Sequence, residues 1–126
     1  WLMGACILFR RDEFLAAHGF DDKIFMYAEE VELYRRLKES LGKRVHFTTK
    51  TKVTHIGSVS TKKANAYRLA YELKGIEYIY AKHYPKLLWF IRFVIYTGVL
   101  MRLAIFSFIP SRRDTLVEYK KFFQTK

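Results

Sequence analysis

The 126-residue chain has a single cysteine, Cys6, so neither an intrachain disulfide nor a cysteine-rich metal site is open to it. Apolar neighbours of Cys6 predict a small buried side chain in a reducing compartment. Two prolines and six glycines leave no Pro- or Gly-rich linker, and no internal repeat or low-complexity tract is present. Acids are scarce, 12 against 23 Lys and Arg for a net charge of +11. The chain starts at Trp1 and runs at once into Leu2, Met3, Ala5, Ile7 and Leu8. No ordinary start or targeting signal is visible, and the beginning reads as cut away.

What is present is apolar and aromatic. Hydrophobic residues make up 51% and aromatics 17%, with 11 Phe and 9 Tyr, which excludes a disordered tail and is enough for one domain core or a membrane contact. The positive charge is uneven. Residues 1–60 carry 10 Lys and Arg against 8 Asp and Glu, residues 61–126 carry 13 against 4. A basic surface suits nucleic acid or an anionic membrane. Here it accompanies a long apolar run and no recognisable nucleic-acid motif, so the membrane surface is the expected partner and nucleic acid is not. Nothing in the pattern bears on oligomeric state.

Apolar residues 2–9 predict a buried strand, after which Asp12 is placed to cap a short helix to Ala17. Gly19-Phe20-Asp21-Asp22 has turn composition and leads to a helix over about 28–41, with Val31, Tyr34, Leu37 and Leu41 as its apolar face and Gly42 as its stop. Residues 45–49 and 51–55 alternate well enough for two short strands, and 56–60 form a loop in which Ser60 is an N-cap candidate. Ala66, Leu69, Leu73, Ile76 and Tyr80 give a long amphipathic helix over 61–83, weakly interrupted by Gly75 and ended at Tyr84-Pro85.

Residues 87–109 are apolar apart from Arg92, Thr97, Gly98, Arg102 and Ser107, a length that suffices to cross a bilayer. The arginines argue against crossing. They lie roughly 9 and 6 Å from the segment centre along a helix axis, and each costs about 2.5–3.5 kcal/mol there against about 0.3–0.6 returned per Leu, Ile, Phe or Val. Arg92, Tyr96, Arg102 and Ser107 share one side of the helix, which suits a segment lying in the interface. Lys86, Arg112 and Arg113 flank it, and Trp89, Arg92 and Arg102 are the candidate membrane residues. Burial of this helix against other parts of the protein is the alternative.

The densest group of acids is Asp21, Asp22, Glu29, Glu30 and Glu32. A carboxylate fixed at a helix start can take a proton from a bound hydroxyl. The plainer account is dipole placement together with an i,i+4 pair of Glu32 with Arg36. The order of motifs favours chemistry: Gly4-Ala5-Cys6, Gly19-Phe20-Asp21-Asp22, Phe25-Met26-Tyr27-Ala28-Glu29-Glu30-Val31-Glu32-Leu33, then His55-Ile56-Gly57-Ser58-Val59-Ser60. Over about residues 1–85 this string resembles the second half of family-2 inverting glycosyltransferases, closest to the rhamnosyltransferase-like branch.

The resemblance implies an α/β fold. Residues 1–84 would be the C-terminal, acceptor-side part of a GT-A type domain, a sheet sandwiched by helices, and residues 85–126 a hydrophobic, basic, membrane-associating helical segment. The nucleotide-binding half with its Asp-x-Asp metal motif is absent from this sequence, so the chain alone is expected to be inactive. By resemblance Glu30 is the catalytic base, with Glu29 as the substitute, and His55 helps to hold Mg²⁺ or Mn²⁺ or the diphosphate. Gly4, Ala5, Asp21, Asp22 and Glu32 are candidates for donor or acceptor contact, Asp21 and Asp22 mainly as turn formers. The implied partners are a nucleotide-diphosphate sugar, with rhamnose the sugar that the resembled branch suggests, and a lipid-linked or cell-surface glycan acceptor at the cytoplasmic face of the cell membrane.

Three positions depart from the family pattern: Glu32 where Asp is usual, Ser58 where a second Gly is usual, and His18 where Gly often precedes Gly-Phe-Asp. The alternative function is a non-catalytic basic membrane-binding module.

Overall fold

The computed structural model describes residues 4–55 and 65–124. Its helices are α1 (Arg11–Ala16), α2 (Glu29–Leu41), α3 (Asn65–His83), α4 (Leu88–Ser107) and α5 (Arg113–Phe122), with short 3-10 turns at Pro85–Leu87 and Pro110–Arg112. They belong to two compact units, Trp1–Gly57 and Ser58–Lys126.

The expected α/β architecture of the GT-A type is overturned, because no strand forms among the described residues. Residues 4–9, expected to close a buried strand, begin in a turn and continue without regular structure, and Leu8 is 98% exposed. Cys6, expected to be buried, is exposed on the same stretch. The alternating segments 45–49 and 51–55 are irregular and exposed as well, with Val45, Phe47 and Val53 in solvent. The physical reason is pairing. Alternation decides which side of a strand would face a core, but backbone N–H and C=O groups still need a neighbouring ladder, and a two-stranded hairpin alone is marginal in water. No such ladder stands among the described residues.

In the first unit α1 starts ahead of the residue expected to cap it. Arg10 holds the N-cap position with no side-chain hydrogen bond, and Asp12 and Glu13 lie in the first turn, where the helix dipole favours negative charge. Leu33, Tyr34 and Leu37 of α2 pack with Ala17, and Ile7, Phe9, Phe14 and Leu41 close around them. The face of α2 is therefore centred on Leu33, which is fully buried, rather than on Val31, which is half-buried. The Phe14 ring lies between those of Phe9 and Phe20, with centroids 5.0 and 5.6 Å away. Glu13 meets Lys43 at 2.9 Å and ties α1 to the exit of α2.

Gly42 ends α2 in a left-handed conformation at φ 62°, and the Lys43 N–H donates to the Leu37 carbonyl at 2.9 Å. A Cβ built at Gly42 meets nothing within 4 Å, so only the backbone resists substitution. Gly42→Ala is expected to lower stability by about 1 kcal/mol, read from the urea midpoint; an unchanged midpoint would show that the turn relaxes freely.

In the second unit the core joins Ala70 of α3, Ile95 and Val99 of α4 and Phe122 of α5, with Leu73, Ile76, Ile91, Tyr96, Leu103 and Tyr119 packed around them. Helix α3 runs through Gly75, which is buried, and stops at His83, just before Tyr84 and Pro85. Proline lacks the N–H that another helical turn needs. The Leu87 N–H closes on the Tyr84 carbonyl at 2.8 Å and starts α4. Ser60, the expected N-cap, lies outside the described residues.

Candidate active site

The start of α2 is set by two consecutive left-handed residues that are not glycine, Tyr27 at φ 63° and Ala28 at φ 83°. Such a backbone costs roughly 1–2 kcal/mol per residue and persists where the surrounding fold imposes it, often beside functional groups. Ala28 supplies no side-chain cap, and Glu29, Glu30 and Glu32 occupy the first turn. Acidic side chains at a helix start lie where the helix dipole favours negative charge.

Glu30 is oriented from outside its helix. Its Oε1 accepts a hydrogen bond from the Gly4 N–H at 3.3 Å. Its Oε2 is buried and has no hydrogen-bond partner among the described residues, and the same holds for Glu29 Oε2 and the Tyr34 hydroxyl. Tyr34 follows Glu30 by one helical turn. Burial pushes the Tyr34 phenol above its ordinary 10.0, and the Glu30 carboxylate pushes it further in the same direction. At neutral pH the group is a hydroxyl able to donate or accept. Two carboxylate oxygens and one hydroxyl without partners among the described residues suit a ligand that carries hydroxyl groups.

The raised Tyr34 value has a direct consequence for stability. The unfolded chain loses this proton near pH 10 while the folded chain retains it, so stability is full below about pH 10 and falls as pH rises towards the folded value. Tyr34→Phe is expected to flatten this alkaline decline in urea midpoints taken from neutral to strongly alkaline pH. An identical decline in the variant would mean that the phenol titrates alike in both states.

Glu32 lies elsewhere in the packing. It is fully buried, and its Oε2 accepts from Arg36 Nε at 2.7 Å and meets Arg36 Nη2 at 2.6 Å. The same guanidinium donates to the Ala17 carbonyl and, at 2.7 Å, to the Gly19 carbonyl. The pair therefore fastens the turn after α1 onto α2. His18 within that turn is left-handed at φ 62°, which accounts for the glycine often found there in the resembled family.

The remaining candidates are dispersed. Asp21 closes a turn, accepting from the Lys23 N–H at 3.1 Å through its side chain and from the Ile24 N–H at 3.0 Å through its carbonyl. Asp22 and Ala5 are exposed, and His55 is an exposed residue at the edge of the described segment. Residues 56–60, including Ser58, lie outside the described residues. No group of three or more His, Cys, Asp and Glu among the described residues could hold a metal ion. The residues described here do not by themselves fit the Mg²⁺ or Mn²⁺ expected from the resemblance, and no step below runs through a metal.

On α4 the three membrane candidates separate. Trp89 is 71% exposed. Arg92 instead reaches α3, its Nε donating to Glu77 Oε1 at 2.6 Å. Arg102 donates to the Gly98 carbonyl at 3.1 Å and lies over the Tyr119 ring of α5.

Sequence reasoning missed Tyr34 as a neighbour of Glu30, although the i,i+4 spacing could have pointed to it. It also missed the Gly4 contact, for which a separation of 26 residues leaves no local signal. The left-handed pair was invisible too, since neither Tyr nor Ala favours that conformation.

Over 70 residues the chain is 39% identical to an N-acetylglucosaminyl-diphospho-decaprenol L-rhamnosyltransferase in each of two strains of Mycobacterium tuberculosis. The match takes in 56% of this chain and spans 22% of the length of those curated relatives. It supports a glycosyltransferase relationship. No family model matches the chain, and no solved structure does.

Proposed function

We propose that this chain supplies the acceptor side of a family-2-type inverting glycosyltransferase, with Glu30 as the general base. The observation that carries this reading is the Glu30 carboxylate, held through Oε1 by the Gly4 N–H at 3.3 Å while Oε2 is buried without a partner among the described residues. That oxygen takes the proton from an acceptor hydroxyl. The hydroxyl oxygen forms the new bond to the anomeric carbon as the bond to the nucleotide diphosphate breaks on the opposite face, and the configuration inverts. Holding base and hydroxyl in reach is the larger part of such catalysis. Glu29, with its own unpartnered oxygen, and the Tyr34 hydroxyl hold neighbouring hydroxyls of the acceptor.

The partial likeness to a rhamnosyltransferase supports a sugar donor, with rhamnose the first sugar to try; its activation as a nucleotide diphosphate is part of the proposal. It also supports a lipid-linked acceptor and hence work at a membrane, for which the cytoplasmic face is part of the proposal. The test is sugar transfer from dTDP-rhamnose to a polyprenyl-diphosphate N-acetylglucosamine. It is run with the longest natural polypeptide that contains these residues and read as labelled product in the lipid extract. Product is expected; its absence with every nucleotide-sugar tried would overturn the reading.

A further inference from the structure

One side of α4 packs on α3 and α5 through Ile95, Val99, Ile91 and Leu103, and the other side is left exposed among the described residues of the second unit. Trp89, Phe93, Leu100, Met101, Ile105 and Phe108 on that other side are between 52% and 86% exposed. At 100° per residue these positions, with Phe90 and Val94, fall within one arc of less than half the helix circumference. An apolar strip of this length on a monomer marks an interaction surface.

We propose that this strip is a bilayer-docking face, and that α4 lies in the outer part of one leaflet of an anionic membrane without crossing it. The charge distribution selects the occupant. Exposed Lys86 and Arg112 stand at the two ends of α4, and residues 61–126 carry 13 Lys and Arg against 4 Asp and Glu, which complements anionic headgroups. A protein partner would need its own complementary apolar groove, whereas a bilayer needs only the strip and the basic ends.

The packing of α4 excludes crossing, although the helix is long and apolar enough to do so by composition. Arg92 is tied to Glu77 at 2.6 Å, and Lys74 lies 3.6 Å from the other Glu77 oxygen. A spanning α4 would draw this network, and the exposed Arg68 and Glu72 of α3, into hydrocarbon where such groups are costly. Lying flat, α4 keeps the ion pair on the protein side and gives only the strip to lipid. This inference stands on the second unit alone and does not depend on the transferase reading.

The test is sedimentation of the 126-residue chain with vesicles of phosphatidylcholine, with and without phosphatidylglycerol, at low and high salt. Binding to the anionic vesicles is expected, weakening with salt. Phe93→Ser with Leu100→Ser, both at exposed positions, should reduce partitioning by roughly tenfold or more with an unchanged helical circular dichroism spectrum. Lys86→Gln with Arg112→Gln should weaken binding to anionic vesicles only. To place the helix, Leu100→Trp is made in a chain whose two native tryptophans are replaced by Phe. Quenching is then expected to be strongest from lipids labelled near the headgroup. Strongest quenching from the bilayer centre, absence of binding, or unaltered binding by the serine variant would each overturn the proposal. So would concentration-dependent dimerisation without lipid that the serine variant abolishes, which would give the strip to a second copy.

Discussion

Glu32→Ala is expected to remove about 3–5 kcal/mol of folding stability, the cost of stranding one member of a buried ion pair. Glu32 is fully buried, and Arg36 is only 15% exposed along its side chain. Against a domain stability of about 5–15 kcal/mol this is a large share of the margin, and a unit at the low end of that range would be left close to its unfolding point. Arg36→Ala is expected to cost as much or more, because it also withdraws the donors from the Ala17 and Gly19 carbonyls. Replacing both members together with apolar residues of similar volume should recover much of the loss, since desolvation of the charges then disappears from the balance. Urea unfolding of the two single variants and the double variant decides the matter. Losses below about 1 kcal/mol would place the pair in the range of solvated surface bridges and contradict the burial seen here.

The second large effect is catalytic. Glu30→Gln keeps the shape of the side chain and its acceptor for the Gly4 N–H, and removes the ability to take a proton. Turnover should fall by roughly 10²–10⁴-fold, with donor affinity preserved, because proton removal matters in the transition state and not in the bound ground state. Glu29→Gln should act more mildly, on acceptor KM more than on kcat, if Glu29 positions rather than reacts. An equal collapse in both variants would mean that the two carboxylates work as one unit.

The helices were readable because their signals are local. Gly42 ends α2 through its freedom at positive φ, Pro85 ends α3 by its missing N–H, and the acids at 29–32 mark the start of α2. The sheet expected from alternation does not form among the described residues. Alternation at 45–49 and 51–55 reports a possible face and says nothing of whether a partner strand exists. The candidate site was legible where it lies on one helix and illegible where it depends on distant residues. Glu29 and Glu30 follow from motif order, while the Gly4 contact and the left-handed Tyr27 and Ala28 come from the folded chain. Arg92 and Arg102 illustrate the same limit. Helical periodicity put them on one side of α4, but only the packing reveals that this side faces α3 and α5 and that the lipid-compatible side is the other.

The central claim, that Glu30 is the base of a glycosyl transfer, is tested most directly by single-turnover transfer from saturating nucleotide-sugar to a lipid-linked acceptor. The wild-type and Glu30→Gln forms of the longest natural polypeptide containing this chain are compared. The account predicts that the variant binds donor like the wild type and forms lipid-linked glycoside at least roughly a hundredfold more slowly. Product formation at the wild-type rate by Glu30→Gln would contradict it.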